Sequence, residues 1–285
     1  AAQDTVLNNS NASAIYTFNY DYIRPTATIT SEIVHKEMTN KDMIAYTITF
    51  SEEVVGFGTD DISVTNAAIN NWTTTDNTVF TFDANTSASV DGWVNVYLFE
   101  NVTEDLAGNM NEAADGNNPY MVYYDGIPPT PVLSVLYPAG YTYPDDILNE
   151  TEVPIVVQAD FGEPVGSFTV DDINIDESNA YITNFALETS QTVTYNGASY
   201  TGGLIYTFEL NPIDVIVRVD IPANVCTDKG GNLNNASNIL RLNYEGEKPV
   251  PLLSTTINEA PDNSGMYYTN NPVIPFEVTF REEVT

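Results

Sequence analysis

Phe50-Ser51-Glu52-Glu53-Val54, Phe161-Gly162-Glu163-Pro164-Val165 and Phe280-Arg281-Glu282-Glu283-Val284 are three copies of one short motif, set about 110 to 120 residues apart. That interval is the length of one sandwich domain, so the 285 residues read as an array of repeats rather than as one large fold.

The stretches that follow the motif repeat as well. Gly56-Phe57 leads to Asp60-Asp61-Ile62 in the first copy, and Gly166 with Phe168 leads to Asp171-Asp172-Ile173 in the second. Each copy closes on a turn signature, Asp105-Leu106-Ala107-Gly108-Asn109-Met110-Asn111 and Asp228-Lys229-Gly230-Gly231-Asn232-Leu233-Asn234. Each leaves through a linker, Tyr124-Asp125-Gly126-Ile127-Pro128-Pro129 or Tyr244-Glu245-Gly246-Glu247-Lys248-Pro249. The opening residues fit the end of the same frame, with an expected strand from Ile15 to Tyr20 followed by Asp21 and Pro25. The expected organisation is therefore the end of one repeat and its linker over 1–25, whole repeats over 26–126 and 131–246 joined by 127–130, and the start of another over 247–285. On this frame the chain is a window on a longer protein.

Alternation with period two dominates each copy. Ile44, Tyr46, Ile48 and Phe50 fall on one face of a strand, and Ile155-Val156-Val157-Gln158-Ala159-Asp160-Phe161 is its counterpart. Similar runs are Val79 to Phe82, Trp93 to Leu98, Ile205 to Leu210 and Val215 to Val219, separated by Asn, Asp, Gly and Pro turns. About seven short strands per copy, with no stretch of helical period, predict an all-β chain of tandem immunoglobulin-like β-sandwiches, partial at both ends. The antibody-type disulfide has no counterpart, because Cys226 is the single cysteine, and its place in an alternating run makes it a core residue.

The order F-S-E-x-V, G-F, D-D-I, D-x-x-G-N and an Asp-Gly-Pro exit resembles the bacterial Ig-like tandem repeats of large surface adhesins and other secreted proteins. Copy one fits best. Copy two departs at Gly162 and Pro164, carries an insertion around Thr189 to Gly203, and has Glu245 in place of the exit aspartate. The resemblance implies an extracellular, rod-like array at the cell surface. It does not settle a particular function.

Charge narrows the partners. A formal net charge of -32 disfavours nucleic acid and anionic membrane surfaces, and leaves cations and basic surfaces as natural counterparts. The acids are scattered between apolar strands, and 42% hydrophobic residues suffice for packed cores. No apolar run reaches the length of a membrane span, so no membrane insertion is expected in this segment.

Calcium is the candidate cofactor. A hard cation takes several oxygen ligands held by tight turns. Glu52 and Glu163 follow the strand that bears the motif, Asp105 with Asn109 and Asp228 with Asn232 belong to the Gly-Asn turns, and Asp125 and Glu245 stand at the exits. If each set meets at a junction, an ion there would stiffen the linker. The other reading is purely local: Asp and Asn bond the backbone of their own turns and Gly supplies positive φ. Asp60-Asp61 and Asp171-Asp172 are read as caps of a short helical turn.

Asn8, Asn11, Asn71, Asn85, Asn101, Asn149 and Asn235 head N-x-S/T sequons and are candidate carriers of N-linked glycans. Catalysis finds no support. His35, the sole histidine, lies in a charged stretch read as a solvated loop, which excludes a duplicated Ser-His-Asp set and any histidine-rich metal centre. No enzyme is expected. Tyr120, Tyr123 and Tyr124, or Tyr141 and Tyr143, would either form a contact surface or fill sandwiches and junctions, and Trp72 and Trp93 are expected to be buried or at junctions.

Three functional readings follow: a structural subunit of an extracellular fibre whose neighbours are other copies of the chain, a calcium-stiffened adhesin stalk, or a carbohydrate- or protein-binding module. In the fibre reading, Ile15 to Tyr20 would complete a neighbour's sandwich by strand addition.

Overall fold

The computed structural model describes every residue except 1, 88–90, 144, 176–178, 191, 196–197, 214–215, 256–264, 267, 282–283 and 285. Ten strands build the first sandwich: β1 (Ala27–Ser31), β2 (Met38–Thr39), β3 (Met43–Phe50), β4 (Val54–Val55), β5 (Ile62–Thr65), β6 (Ala68–Thr74), β7 (Val79–Asn85), β8 (Gly92–Leu98), β9 (Glu104–Asp105) and β10 (Tyr120–Tyr124). One sheet runs β1-β3-β7-β6 and the facing sheet β2-β10-β8-β5, while β4 and β9 pair across the end. Most ladders are antiparallel; β2 lies parallel to β10, Thr39 opposite Tyr124.

The second sandwich repeats this plan strand for strand. Its first sheet is β11 (Val132–Tyr137), β13 (Ile155–Asp160), β19 (Ile205–Pro212) and β16 (Ala180–Leu187). Its second is β12 (Leu148–Asn149), β22 (Leu240–Glu245), β20 (Ile216–Asp220) and β15 (Asn174–Ile175), and β14 (Val165–Gly166) pairs with β21 (Thr227–Asp228). The insertion of copy two is a separate hairpin, β17 (Thr192–Tyr195) with β18 (Ala198–Thr201). Beyond it, β23 (Pro251–Thr255) and β24 (Phe276–Phe280) form a two-stranded start of a third unit. The chain is thus all-β, built of tandem Ig-like sandwiches. Glu282 and Glu283 of the third motif copy lie outside the described residues.

The alternation read from the sequence is what drives the packing. In β3, Ile44, Tyr46, Ile48 and Phe50 are buried and Met43, Ala45 and Thr49 face outward. Phe50, Phe57 and Phe80 meet edge to face around Trp72, which is half-buried. Phe161, Phe168 and Tyr206 repeat that cluster in the second core, where Cys226 is also buried and its thiol pushed up to about 12 by that burial. The Phe of the first two motif copies, Phe50 and Phe161, is therefore the core anchor of its domain, and the Glu that follows is carried to the domain's end.

Two expectations need correction. Ile15 to Tyr20 forms no strand, and Ile15, Phe18 and Tyr20 are about nine-tenths exposed; an apolar alternation has nothing to order it without a sheet to join. His35 is not a solvated side chain: its Nδ1 accepts the Met121 N–H at 3.1 Å and its ring packs edge-on against Tyr120. Burial, then Lys36, lowers its pKa, in keeping with a neutral imidazole that accepts at Nδ1.

Candidate metal centre

Both closing turns have the same construction. Oδ1 of Asp105 accepts the N–H groups of Ala107 and Asn109 at 2.7 and 2.9 Å, and Oδ2 accepts Asn109 Nδ2 at 2.8 Å. Oδ1 of Asp228 accepts the N–H groups of Gly231 and Asn232 at 2.7 and 2.8 Å, and Oδ2 accepts Asn232 Nδ2 at 3.0 Å. Gly108 and Gly231 have φ of +91 and +97°, a left-handed backbone that strains any residue with a Cβ. The local turn reading therefore holds. It also orients each aspartate toward the domain's end.

The second asparagine of each signature is a staple that the sequence reading left unassigned. Asn234 Oδ1 accepts the N–H groups of Val225 and Cys226, and its Nδ2 donates to the carbonyls of Pro222 and Asn235, all within 3.0 Å. Asn111 does the same with Val102, Thr103, Phe99 and Glu112. Both side chains are fully buried, and four good bonds offset the cost of burying an amide.

The linker brings a third carboxylate to each turn. Asp125 N–H donates to Thr39 O of its own domain at 3.0 Å, while its carbonyl accepts Asn232 Nδ2 of the next domain at 2.8 Å. Asn40 N–H of the first domain donates the other way, to Gly230 O at 2.9 Å, and Asn235 N–H donates to Pro129 O at 2.8 Å. Asp125, Glu163 and Asp228 then converge: one oxygen from each lies within 4.8 Å of the others, and all three residues are buried. Asp21, Glu52 and Asp105 form the equivalent group at the start of the first sandwich, with Asp21 exposed and Glu52 half-buried.

The electrostatics differ accordingly. Asp125 has no exposed surface, and neither of its carboxylate oxygens has a hydrogen-bond partner. Burial, then Asp228 and Asp91, pushes its pKa up to about 6, and the Ile127 N–H offsets this only partly. An ionised carboxylate buried in this way costs several kcal/mol unless a cation compensates it. Glu52 is raised by burial and by Asp105 and Asp21, whereas Asp105 is lowered, first by its bond from Asn109. The described ion pairs, Arg24–Glu100, Lys41–Glu32 and Lys248–Glu150, lie elsewhere.

Set against the expectations, the structure joins Glu52 with Asp105, and Glu163 with Asp228. It moves Asp125 from the first set to the second, because the exit strand ends at the far pole of its domain and delivers its aspartate to the next one. Asp21, missed as a ligand, fills the vacated place; the signal was Tyr20-Asp21, which repeats Tyr124-Asp125. Glu245 is exposed and belongs to neither group. Asn109 and Asn232 donate their Nδ2 groups to the aspartates and so brace the carboxylates. Asp61 accepts Gly58 N–H and Asp172 accepts Thr169 N–H, closing the short helical turns as expected.

The sequon asparagines Asn8, Asn11, Asn71, Asn101, Asn149 and Asn235 are exposed, and Asn85 is half-buried. Asn71 Nδ2 already bonds Asp83, and Asn235 Nδ2 bonds Thr130. Tyr120 and Tyr124 fill the sandwich core, whereas Tyr123 is buried on the other face of its sheet, with half-buried Trp93 edge-on against it; Tyr141 is half-buried and Tyr143 is exposed. Among the described residues no helix is long and apolar enough to cross a membrane.

Comparison with known proteins adds a family for one region. The bacterial Ig-like domain family matches residues 21–122, just over a third of the chain, and this match opens at Asp21. No curated protein matches. Similar solved structures include the Yersinia pseudotuberculosis adhesin InvE, at 14% identity and a TM-score of 0.25, and invasin, a bacterial integrin-binding protein, at 13% identity and a TM-score of 0.36. The alignments cover 77% and 90% of this chain but 58% and 47% of those, so the chain spans about half their length.

Proposed function

We propose that this chain, whose first whole repeat is a bacterial Ig-like domain, is a segment of the extracellular shaft of a bacterial surface adhesin, with domain junctions locked by calcium. The observation that carries the reading is Asp125: a side chain belonging to one sandwich, wholly buried against Glu163 and Asp228 of the next, with both oxygens unpartnered. Buried carboxylates from two bodies repel unless a hard cation sits between them, and a hard cation is what carboxylate oxygens select. Calcium would be held by Asp125, Glu163 and Asp228, with backbone carbonyls or water completing its shell. Its binding free energy would then resist bending at the linker.

In this reading the sandwiches are spacers. Repetition supplies length, paired prolines limit the linker's freedom, and the excess of acid keeps neighbouring shafts apart. No catalytic role is assigned.

Small-angle scattering and electron microscopy with calcium chloride and with a chelator test the proposal. Calcium is expected to give straight, rigid particles and chelation to give bent ones. Identical particles in both conditions, together with no heat of calcium binding by calorimetry, would overturn the calcium lock.

A further inference from the structure

The two closing turns differ at one place that matters for docking. Two residues after its aspartate, copy one has Ala107 and copy two has Gly230. Gly230 is not needed by its own turn, since its φ lies outside the left-handed range and Gly231 supplies the positive φ. What it provides is space. A methyl group there would sit 2.9 Å from Asp125 Cβ and 3.2 Å from Asp125 Cγ. Real Cβ atoms do not approach so closely, and Asp125 cannot swing aside, because its N–H and C=O are both bonded.

Copy one carries the methyl at the corresponding place. Ala107 is exposed where Gly230 is buried, and it lines an open cleft of about 280 Å³ together with Asp21, Glu52 and Asp105. The bond that crosses from the turn to the linker is also longer. Asn109 Nδ2 is 3.2 Å from Asp21 O, against 2.8 Å from Asn232 Nδ2 to Asp125 O.

We infer that this turn position determines how closely a domain docks on the linker and domain before it, with glycine allowing closure and alanine holding the joint open. Gly230 is a positioning residue: it lets the Asp125 backbone drop onto the turn and so encloses the carboxylate group. The inference deepens the calcium reading by naming what sets the ion's enclosure, yet it stands on packing alone.

Nitroxide labels at Thr30→Cys and Tyr181→Cys, one on each sandwich, give the distance distribution between the domains by pulsed electron resonance. Cys226 is buried and stays unlabelled. Wild type is expected to give a narrow distribution. Gly230→Ala should broaden and shift it, with calcium chloride or with chelator alike. Ala107 shows that the turn itself accepts alanine, and near-ultraviolet circular dichroism checks that both cores persist. The double variant Asp125→Gly with Gly230→Ala removes the opposing Cβ. In chelator it should match Asp125→Gly alone, so that alanine at 230 no longer has an effect. An unchanged distribution in Gly230→Ala would overturn the inference, as would an equal shift from that substitution in the Asp125→Gly background. A wild type that binds no calcium would sink the calcium lock and leave this result standing.

Discussion

The junction at Asp125 and the junction at Asp21 use the same three residue types in the same turn and differ in enclosure. At the second, Asp125, Glu163 and Asp228 are all buried, and a complete sandwich stands behind the linker, contributing Asn40 N–H and Thr39 O. At the first, Asp21 is exposed and lines an open cleft together with Glu52, Asp105 and Ala107. The carboxylates alone therefore do not make an enclosed site. At the second junction enclosure comes with bonds from the preceding sandwich, and Gly230 leaves room for Asp125.

What the junctions share can be broken equally in both. Asn111→Ala and Asn234→Ala each delete a fully bonded buried amide and strand several backbone groups. Each should cost about 3 to 5 kcal/mol in its own domain, measured by urea unfolding. A much smaller cost at Asn111 than at Asn234 would mean that the staple depends on junction closure rather than on the turn.

What they do not share is the weight on the linker aspartate. Asp125→Asn keeps the shape but removes the buried charge, and should weaken calcium binding at the second junction on the order of 100-fold, or about 2.7 kcal/mol. Asp21→Asn, at an open and hydrated group, should weaken binding less than about 10-fold. Calorimetric titration of the two variants decides this; equal losses would erase the distinction between an enclosed and an open junction.

Proton linkage sharpens the contrast further. In chelator, Asp125 titrates near 6 when folded and near 3.8 when unfolded, so the native state holds the extra proton between those values. Its contribution therefore falls as pH rises through about 4 to 6 and stays at its lowest above that window. Between wild type and Asp125→Asn, the difference in unfolding free energy should change by about 2 kcal/mol from pH 4 to pH 7, and calcium should abolish the change. A flat difference in chelator would mean that the carboxylate is solvated in solution.

The sequence exposed most of the architecture. Alternation in Met43 to Phe50 and Ile155 to Phe161 identified the core strands because one face of each is buried, and the Phe-x-Glu motif and the Asp-x-x-Gly-Asn turn each named one of the three carboxylates in each group. It misassigned Asp125, since a linear repeat frame counts an exit residue with the domain it leaves, whereas the strand's direction carries it to the domain that follows. The strand expected at Ile15 to Tyr20 failed for a related reason: alternation marks a strand only where a sheet receives it. Gly230 was legible as a departure from Ala107 but not as a cause, because only the fold places Asp125 Cβ against it.

The smallest expected effect concerns how the open junction is held at all. The first linker is tied down by Arg24, whose Nε donates to Met110 O at 2.7 Å and whose Nη2 donates to Asn111 O and Asn101 Oδ1 at 2.5 and 2.8 Å. The equivalent linker position in copy two is Pro128, which can make no such bonds and lies three residues after the buried Asp125. Arg24→Ala should therefore cost about 1 kcal/mol in the first domain and nothing measurable in the second, because the lost bonds are charge-assisted but reached by water. Hydrogen exchange over residues 101–111 reads the same substitution locally. Faster exchange confined to that loop would show that one arginine does for an open junction what burial of Asp125 does for a closed one, and unchanged exchange would show that the Pro25 and Glu112 backbone contact suffices.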